Sequence, residues 1–204
     1  MLCTEFILLT IMAYDRYVAI CNPLRYAVII NRTLCIKLSI GIWVFGFLEP
    51  IPYTVLFAEL SYCKTNHINH FYCDITALLD LSCTSTHNIE NVTYFLGAVL
   101  VMTTLFLILI SYINIISAIL RIQTKEGRHK TFSTCASHLT MVILFYAAIL
   151  IMYMRPATTY SMNQNKIFSL LYTALTPLLN PFIYSLKNRD FKNALTKRRC
   201  RRMN

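Results

Sequence analysis

Charge is what this sequence has least of. Only 14% of its 204 residues are charged, against 56% hydrophobic; a soluble domain carries about 25% charged and 45–50% apolar residues. The shortfall points to lipid rather than water as the solvent. Acidic residues are the scarcer kind, nine Asp and Glu against nineteen Lys and Arg. Four glycines and six prolines are too few for a disordered or fibrous chain. No nucleophile with its base and no phosphate-cradling loop is present, so the sequence indicates no enzyme and implies no cofactor. Aromatics are plentiful, with thirteen tyrosines and twelve phenylalanines, and they suit membrane interfaces as well as cores.

Long uncharged runs decide the class. Asn91 to Leu120 and Ile167 to Leu186 contain no charged side chain. Thr131 to Met154 contains no acidic or basic side chain except His138, and Leu38 to Ala58 is interrupted only by Glu49. Each supplies the ~20 residues a helix needs to cross ~30 Å of hydrocarbon. A soluble chain this short lacks the polar elements to cover four such helices. A fifth run, Leu2 to Ala13, is too short to span alone and lacks the basic flank and cleavage site of a signal peptide. It reads as the second half of a helix whose first half precedes residue 1.

The basic residues alternate from side to side. Arg16, Arg25, Arg32 and Lys37 follow the first run; Arg121, Lys125, Arg128 and Lys130 lie between the third and fourth. The tail from residue 187 adds eight more, so sixteen of nineteen fall on one side. By the positive-inside rule that side is cytoplasmic. The cationic tail then suits anionic lipid headgroups better than nucleic acid. The opposite loop, about Glu59 to Glu90, holds Cys63, Cys73 and Cys83, which are disulfide candidates on the oxidising side of a membrane. Cys63, His67, His70 and Cys73 also have the ligand types of a zinc site. The spacing is not that of a common finger, so the expectation is a disulfide and no metal.

Three strings carry a family resemblance. Met12-Ala13-Tyr14-Asp15-Arg16-Tyr17-Val18-Ala19-Ile20-Cys21-Asn22-Pro23-Leu24-Arg25-Tyr26 closes the first run. Lys130-Thr131-Phe132-Ser133-Thr134-Cys135-Ala136-Ser137-His138-Leu139 opens the fourth, and Pro177-Leu178-Leu179-Asn180-Pro181-Phe182-Ile183-Tyr184-Ser185-Leu186-Lys187-Asn188 closes the fifth. In order and spacing they resemble the olfactory receptors, within the rhodopsin-like G-protein-coupled receptors. The resemblance covers the chain from residue 4 onward. One departure is Phe145-Tyr146-Ala147-Ala148, where the family usually has Gly after the aromatic pair.

The resemblance implies an all-α transmembrane helical bundle. It comprises helices three (partial) to seven of a seven-helix receptor, at about 2–17, 34–57, 93–120, 132–154 and 166–186. An extracellular loop at about 58–92 and a short amphipathic helix within the cytoplasmic tail 187–204 complete it. It also implies a plasma-membrane receptor that binds a small volatile organic ligand and acts through a heterotrimeric, stimulatory G protein to raise cAMP. Asp15, Arg16, Tyr17, Tyr112, Lys130, Ser133, His138, Asn180, Pro181 and Tyr184 are the expected coupling and switch residues. Cys63 is expected to bond Cys83, leaving Cys73 for a helix-three cysteine that this chain does not contain.

The chemistry of these positions agrees. Arg16 and Asp15 form a membrane-edge ion pair that a partner can break. Pro181 removes a helical hydrogen bond and makes a bend. Glu5, about 15 Å deeper than Asp15 along a helix, needs an internal polar network; His138, Asn114 and Ser111 are candidate partners. Glu49 stands beside Pro50 and Pro52, where a helix kinks or ends. It reads as lying near the outer headgroups, with selection of cationic ligands as the alternative. Ligand-binding candidates are Cys3, Gly97, Val101, Thr104, Tyr146, Ile149, Tyr153, Tyr172 and Thr173, which offer a small apolar cavity with a few hydroxyls. The sequons at Asn91 and Asn31 abut the membrane and the cytoplasm respectively. The rival class is a transporter or channel, which favours several intramembrane charges; here only Glu5 and Glu49 qualify.

Overall fold

The computed structural model describes residues 2–63, 68, 75–79 and 81–153. Tyr172, Thr173, Asn180, Pro181, Tyr184 and Cys73 lie outside the described residues, as does the expected tail helix. The chain divides after Gln123 into two compact units, taken here in turn.

The first unit opens with α1, Leu2–Cys21. Its buried residues Phe6, Leu9, Ala13 and Val18 recur at helical spacing and form one stripe. Asn22 leaves helical geometry (φ −132°, ψ 55°) because the residue before a proline is pushed out of the α region. Pro23–Arg25 make a 3₁₀ turn, and α2, Tyr26–Ile29, follows. The Asn31 side chain then caps α3. Its Oδ1 accepts from the Leu34 N–H at 2.8 Å while its Nδ2 donates to the Val28 carbonyl at 3.1 Å. Such a cap contributes about 1 kcal/mol.

α3 (Arg32–Leu48) and α4 (Pro50–Ala58) are nearly one rod. Glu49 between them stays helical, at φ −58° and ψ −43°, and its N–H still donates to the Phe45 carbonyl. Pro50 omits one rung of the ladder without ending the helix. One face of the rod is half-buried, through Leu38, Ile42, Gly46, Glu49, Tyr53 and Leu56. These recur every three or four residues. Apart from Leu34 and Phe57, also half-buried, the rest of the rod is exposed, including Trp43 and Phe47, whose rings stack at 5.9 Å.

Between α4 and α6 a disulfide joins Cys63 to Cys83, with Cα atoms 5.9 Å apart. Beside it the Cys83 N–H donates to the Ser61 carbonyl at 2.9 Å, and Tyr62 and Ser82 form an antiparallel bridge. The short α5, Ile75–Leu79, lies within the closed loop.

α6, His87–Leu120, has 34 residues and is about 50 Å long at 1.5 Å per residue. It outruns the hydrocarbon, and its first turn is held by polar groups. Thr86 Oγ1 donates to Glu90 at 2.6 Å, and Asn91 meets the His87 ring at 2.9 Å. Thr104, Ile108, Tyr112, Ile115 and Ile119 are its buried stripe. α6 packs on α1, and α3 packs on α1 less extensively.

The second unit begins with α7, Lys125–Tyr153. Cys135, His138, Met141, Val142, Phe145, Tyr146 and Ile149 are buried, and the Phe145 and Tyr146 rings meet edge to face at 6.0 Å. Among the described residues, three helices are long and apolar enough to cross a membrane: Arg32–Ala58, His87–Leu120 and Lys125–Leu150.

Candidate functional site

The Met12 to Tyr26 string of the sequence falls on the last turns of α1 and the turn after it. Arg16 Nε lies 3.8 Å from Asp15 Oδ2, and the two side chains are 37% and 28% exposed. At that distance and exposure the pair contributes about 0–1 kcal/mol. The firmer contact of Asp15 is Tyr26, whose hydroxyl donates to Asp15 Oδ1 at 2.8 Å. That bond, more than any other, pulls the phenol's ionisation above its ordinary range, because a tyrosinate there would face the carboxylate. Pro23 makes the contact possible by turning the chain back so that Tyr26 reaches down to α1. Tyr17 is half-buried, its ring 6.2 Å from that of Tyr14. Tyr112 is buried on α6, the helix that packs on α1. Cys21, at the end of α1, places its thiol 3.7 Å from the Asn114 carbonyl of α6.

Sequence reasoning named Asp15 and Arg16 but gave Tyr26 no role. The signal was available, since Tyr26 ends the fifteen-residue string. Its partner depends on how the turn folds, and no residue spacing gives that.

Other expected residues are less concentrated. Ser133 is exposed on α7 and His138 is buried there; for Lys130 and Tyr153 only the backbone is described. Glu5 is half-buried on α1. Two of its expected partners are engaged on their own helix. Ser111 Oγ donates to the Leu107 carbonyl and Asn114 Nδ2 to the Ile110 carbonyl. Asn114 is exposed there and Ser111 half-buried, because both sit off the buried α6 stripe.

Of the ligand-binding candidates, Gly97, Val101 and Thr104 share one face of α6, and all are at least half-buried. A Cβ built on Gly97 would meet nothing within 4 Å, so there is room beside it. One turn before it, Thr93 Oγ1 is buried without a hydrogen-bond partner. Sequence reasoning saw Thr93 only as part of a sequon, although it lies four residues before Gly97 on the same face. Thr104 turns its hydroxyl to its own helix, 2.8 Å from the Leu100 carbonyl. Tyr146 and Ile149 are buried in the second unit, and Cys3 is half-buried near the start of α1.

The profile of the olfactory receptor family matches residues 2–202. Human olfactory receptor 6Y1 is 50% identical over 195 residues, which are 96% of this chain and 60% of that protein. Rat olfactory receptor 226 is 48% identical over 193 residues, 95% of this chain and 59% of that protein. Human olfactory receptor 9G4 is 49% identical over 194 residues, with the same two shares. The chain thus spans about 60% of the length of these curated relatives. With helices apolar enough to cross the bilayer several times and a family profile that runs almost from end to end, this multi-pass membrane chain belongs to the olfactory receptor family.

Proposed function

We propose that the chain is part of an odorant-binding, G-protein-coupled receptor of the plasma membrane. Its C-terminus is cytoplasmic, and it signals through a stimulatory olfactory-type G protein to raise cAMP. The observation that carries this reading is the Asp15, Arg16 and Tyr26 cluster at the end of α1. A guanidinium held, among the described residues, by a weak, part-exposed ion pair is easily surrendered to a partner that offers better hydrogen-bond acceptors. Membership of the olfactory receptor family supports a G protein as that partner. Ligand binding in the outer half of the bundle shifts the population of helix arrangements in which Arg16 is released. Tyr17 and Tyr112 belong to the same end of the bundle, with Lys130, Ser133, His138, Asn180, Pro181 and Tyr184 as the coupling residues of the later helices. Small, apolar, volatile molecules suit the α6 face of Gly97, Val101 and Thr104, where open space adjoins a buried, unpartnered hydroxyl of Thr93.

The test is Arg16→Ala in a receptor completed with the segment by which the relatives are longer. We expect surface expression within about twofold of the parent and loss of ligand-stimulated cAMP, an effect of at least tenfold, or about 1.4 kcal/mol. Undiminished cAMP from a normally expressed variant would refute the coupling role.

A further inference from the structure

Cys63, Cys73 and Cys83 stand at intervals of ten, so three bonds compete in the loop between α4 and α6. Two of them close ten residues and one closes twenty. Doubling a flexible loop disfavours its closure about threefold, so chain entropy alone favours the two short bonds together about sixfold over the long one. The structure holds the long one, Cys63–Cys83. The fold must supply what outweighs that entropy.

Ser61 is held at both of its backbone groups by the segment that carries Cys83. Its N–H donates to Thr84 Oγ1 at 3.2 Å, and its carbonyl accepts from the Cys83 N–H at 2.9 Å. Between these contacts Tyr62 and Ser82 form the antiparallel bridge. Ser82 is only 9% exposed and braces Thr84 in turn. Its Oγ accepts from the Thr84 N–H at 3.2 Å, and the two hydroxyls lie 3.1 Å apart. Cys63 and Cys83 each follow a residue of the bridge. Their Cα atoms are 5.9 Å apart, a separation that a disulfide spans without backbone movement. A slip of one residue would turn the Cys83 side chain to the opposite face. Backbone bonds alone tolerate such a slip, because every residue but proline offers an N–H and a carbonyl. A hydroxyl acceptor at one position does not. We propose that the Ser82 and Thr84 hydroxyls are a template that selects Cys63–Cys83 among the three possible bonds and spares Cys73.

The oxidant is a small disulfide of the glutathione type. A thiolate of one cysteine attacks it and expels one glutathione thiolate, leaving a mixed disulfide. The second cysteine's thiolate attacks the protein sulfur of that mixed disulfide and expels the other glutathione. Two protein thiols are oxidised, one glutathione disulfide is reduced, and the two protons pass to the expelled thiolates. The template acts on the second attack, by deciding which thiol is in reach.

The reduced 204-residue chain in detergent micelles is reoxidised with a mixture of reduced and oxidised glutathione. Free thiols are then alkylated, and the bonds among the three loop cysteines are mapped by peptide mass spectrometry. Cys63–Cys83 should exceed the two short bonds together at least threefold in the parent chain. In guanidinium, where the ribbon is unfolded, the short bonds should prevail. Ser82→Ala combined with Thr84→Val should shift the folded chain toward the short bonds at least threefold. Thr84→Ser keeps the hydroxyl and should keep the parent ratio. Tyr62→Phe, which removes a hydroxyl bonded to the Phe57 carbonyl at 2.9 Å and outside the template, should keep it too. A parent ratio in the double variant, loss of selection in Thr84→Ser, or dominance of Cys63–Cys83 in guanidinium would each overturn the proposal. Should the double variant lose its helices, Thr84→Val alone decides, and the parent ratio there would overturn it equally.

Discussion

The Asp15 carboxylate is held from two directions, and the two holds are unequal. Tyr26 reaches one oxygen at 2.8 Å, whereas Arg16 stands 3.8 Å from the other. A hydrogen bond to a charged acceptor contributes about 1.5–3 kcal/mol, more than a half-exposed ion pair. Tyr26 therefore competes with Arg16 for Asp15. Removing the hydroxyl in Tyr26→Phe hands the carboxylate back to Arg16 and tightens the restraint. We expect that variant, in the completed receptor, to show a several-fold lower cAMP response at normal surface expression. A higher response would mean that Tyr26 supports the restraint instead. The sign of the pH effect follows from the phenol. Its ionisation lies above the ordinary value of 10.0, so the bond's contribution is complete below that value and is lost as pH rises through the raised one. None of this pairing is legible in the sequence. Asp15 and Arg16 announce themselves as neighbours, but an Asp–Tyr contact across eleven residues needs the turn at Pro23 to be built first.

Among the helices, the apolar runs mark the part of each element that prefers lipid, and the elements themselves run further. α6 starts at His87 and α7 at Lys125, several residues before the uncharged segments begin. Polar first turns propagate a helix as well as apolar ones when their orphan N–H groups have partners or water. Hydropathy also leaves open how each helix is rotated about its axis. That is why the placing of Glu49 on the same half-buried stripe as Gly46 is not legible in the sequence. Gly46 fixes that rotation, since an added Cβ there would collide with the Thr4 methyl of α1, and close helix contact in membranes needs small residues at the interface. Gly46→Ala should therefore lower the thermal stability of the chain in detergent. Overpacking against β-branched Thr4 costs about 1–3 kcal/mol, which exceeds the gain of up to ~1 kcal/mol from replacing a helical glycine. Gly41→Ala, where the added Cβ meets nothing within 4 Å, should be neutral or stabilising. Thr4→Ala combined with Gly46→Ala should recover most of the loss. If Gly46→Ala and Gly41→Ala melt alike, Gly46 does not set the α1–α3 packing.

For the whole molecule, the decisive question is which side of the bilayer each connection occupies, and two independent features bear on it. The disulfide ties the segment after α4 to the segment before α6, and disulfides persist in the oxidising compartment. It closes a loop of twenty residues, a constraint of about 3 kcal/mol on the unfolded chain in the entropic picture. Basic residues collect at the other ends of the same helices, Arg32 and Lys37 at the start of α3 and Arg121 after α6, and Lys125 and Arg128 follow at the start of α7. Positive charge resists translocation, so oxidised sulfur and basic side chains should lie on opposite faces, with Asp15, Arg16 and Tyr26 on the basic one. Charge spacing alone shows this alternation in the sequence. The pairing of Cys63 with Cys83 enters only through family resemblance, because three cysteines at equal intervals do not favour that pair. We expect protease added to sealed microsomes to remove the tail beyond residue 187 while leaving the segment 59–90 intact until detergent is added. A membrane-impermeant thiol reagent should leave Cys63 and Cys83 unlabelled before reduction. A shielded tail would invert the assignment and place the Arg16 cluster in the lumen, where no G protein could reach it.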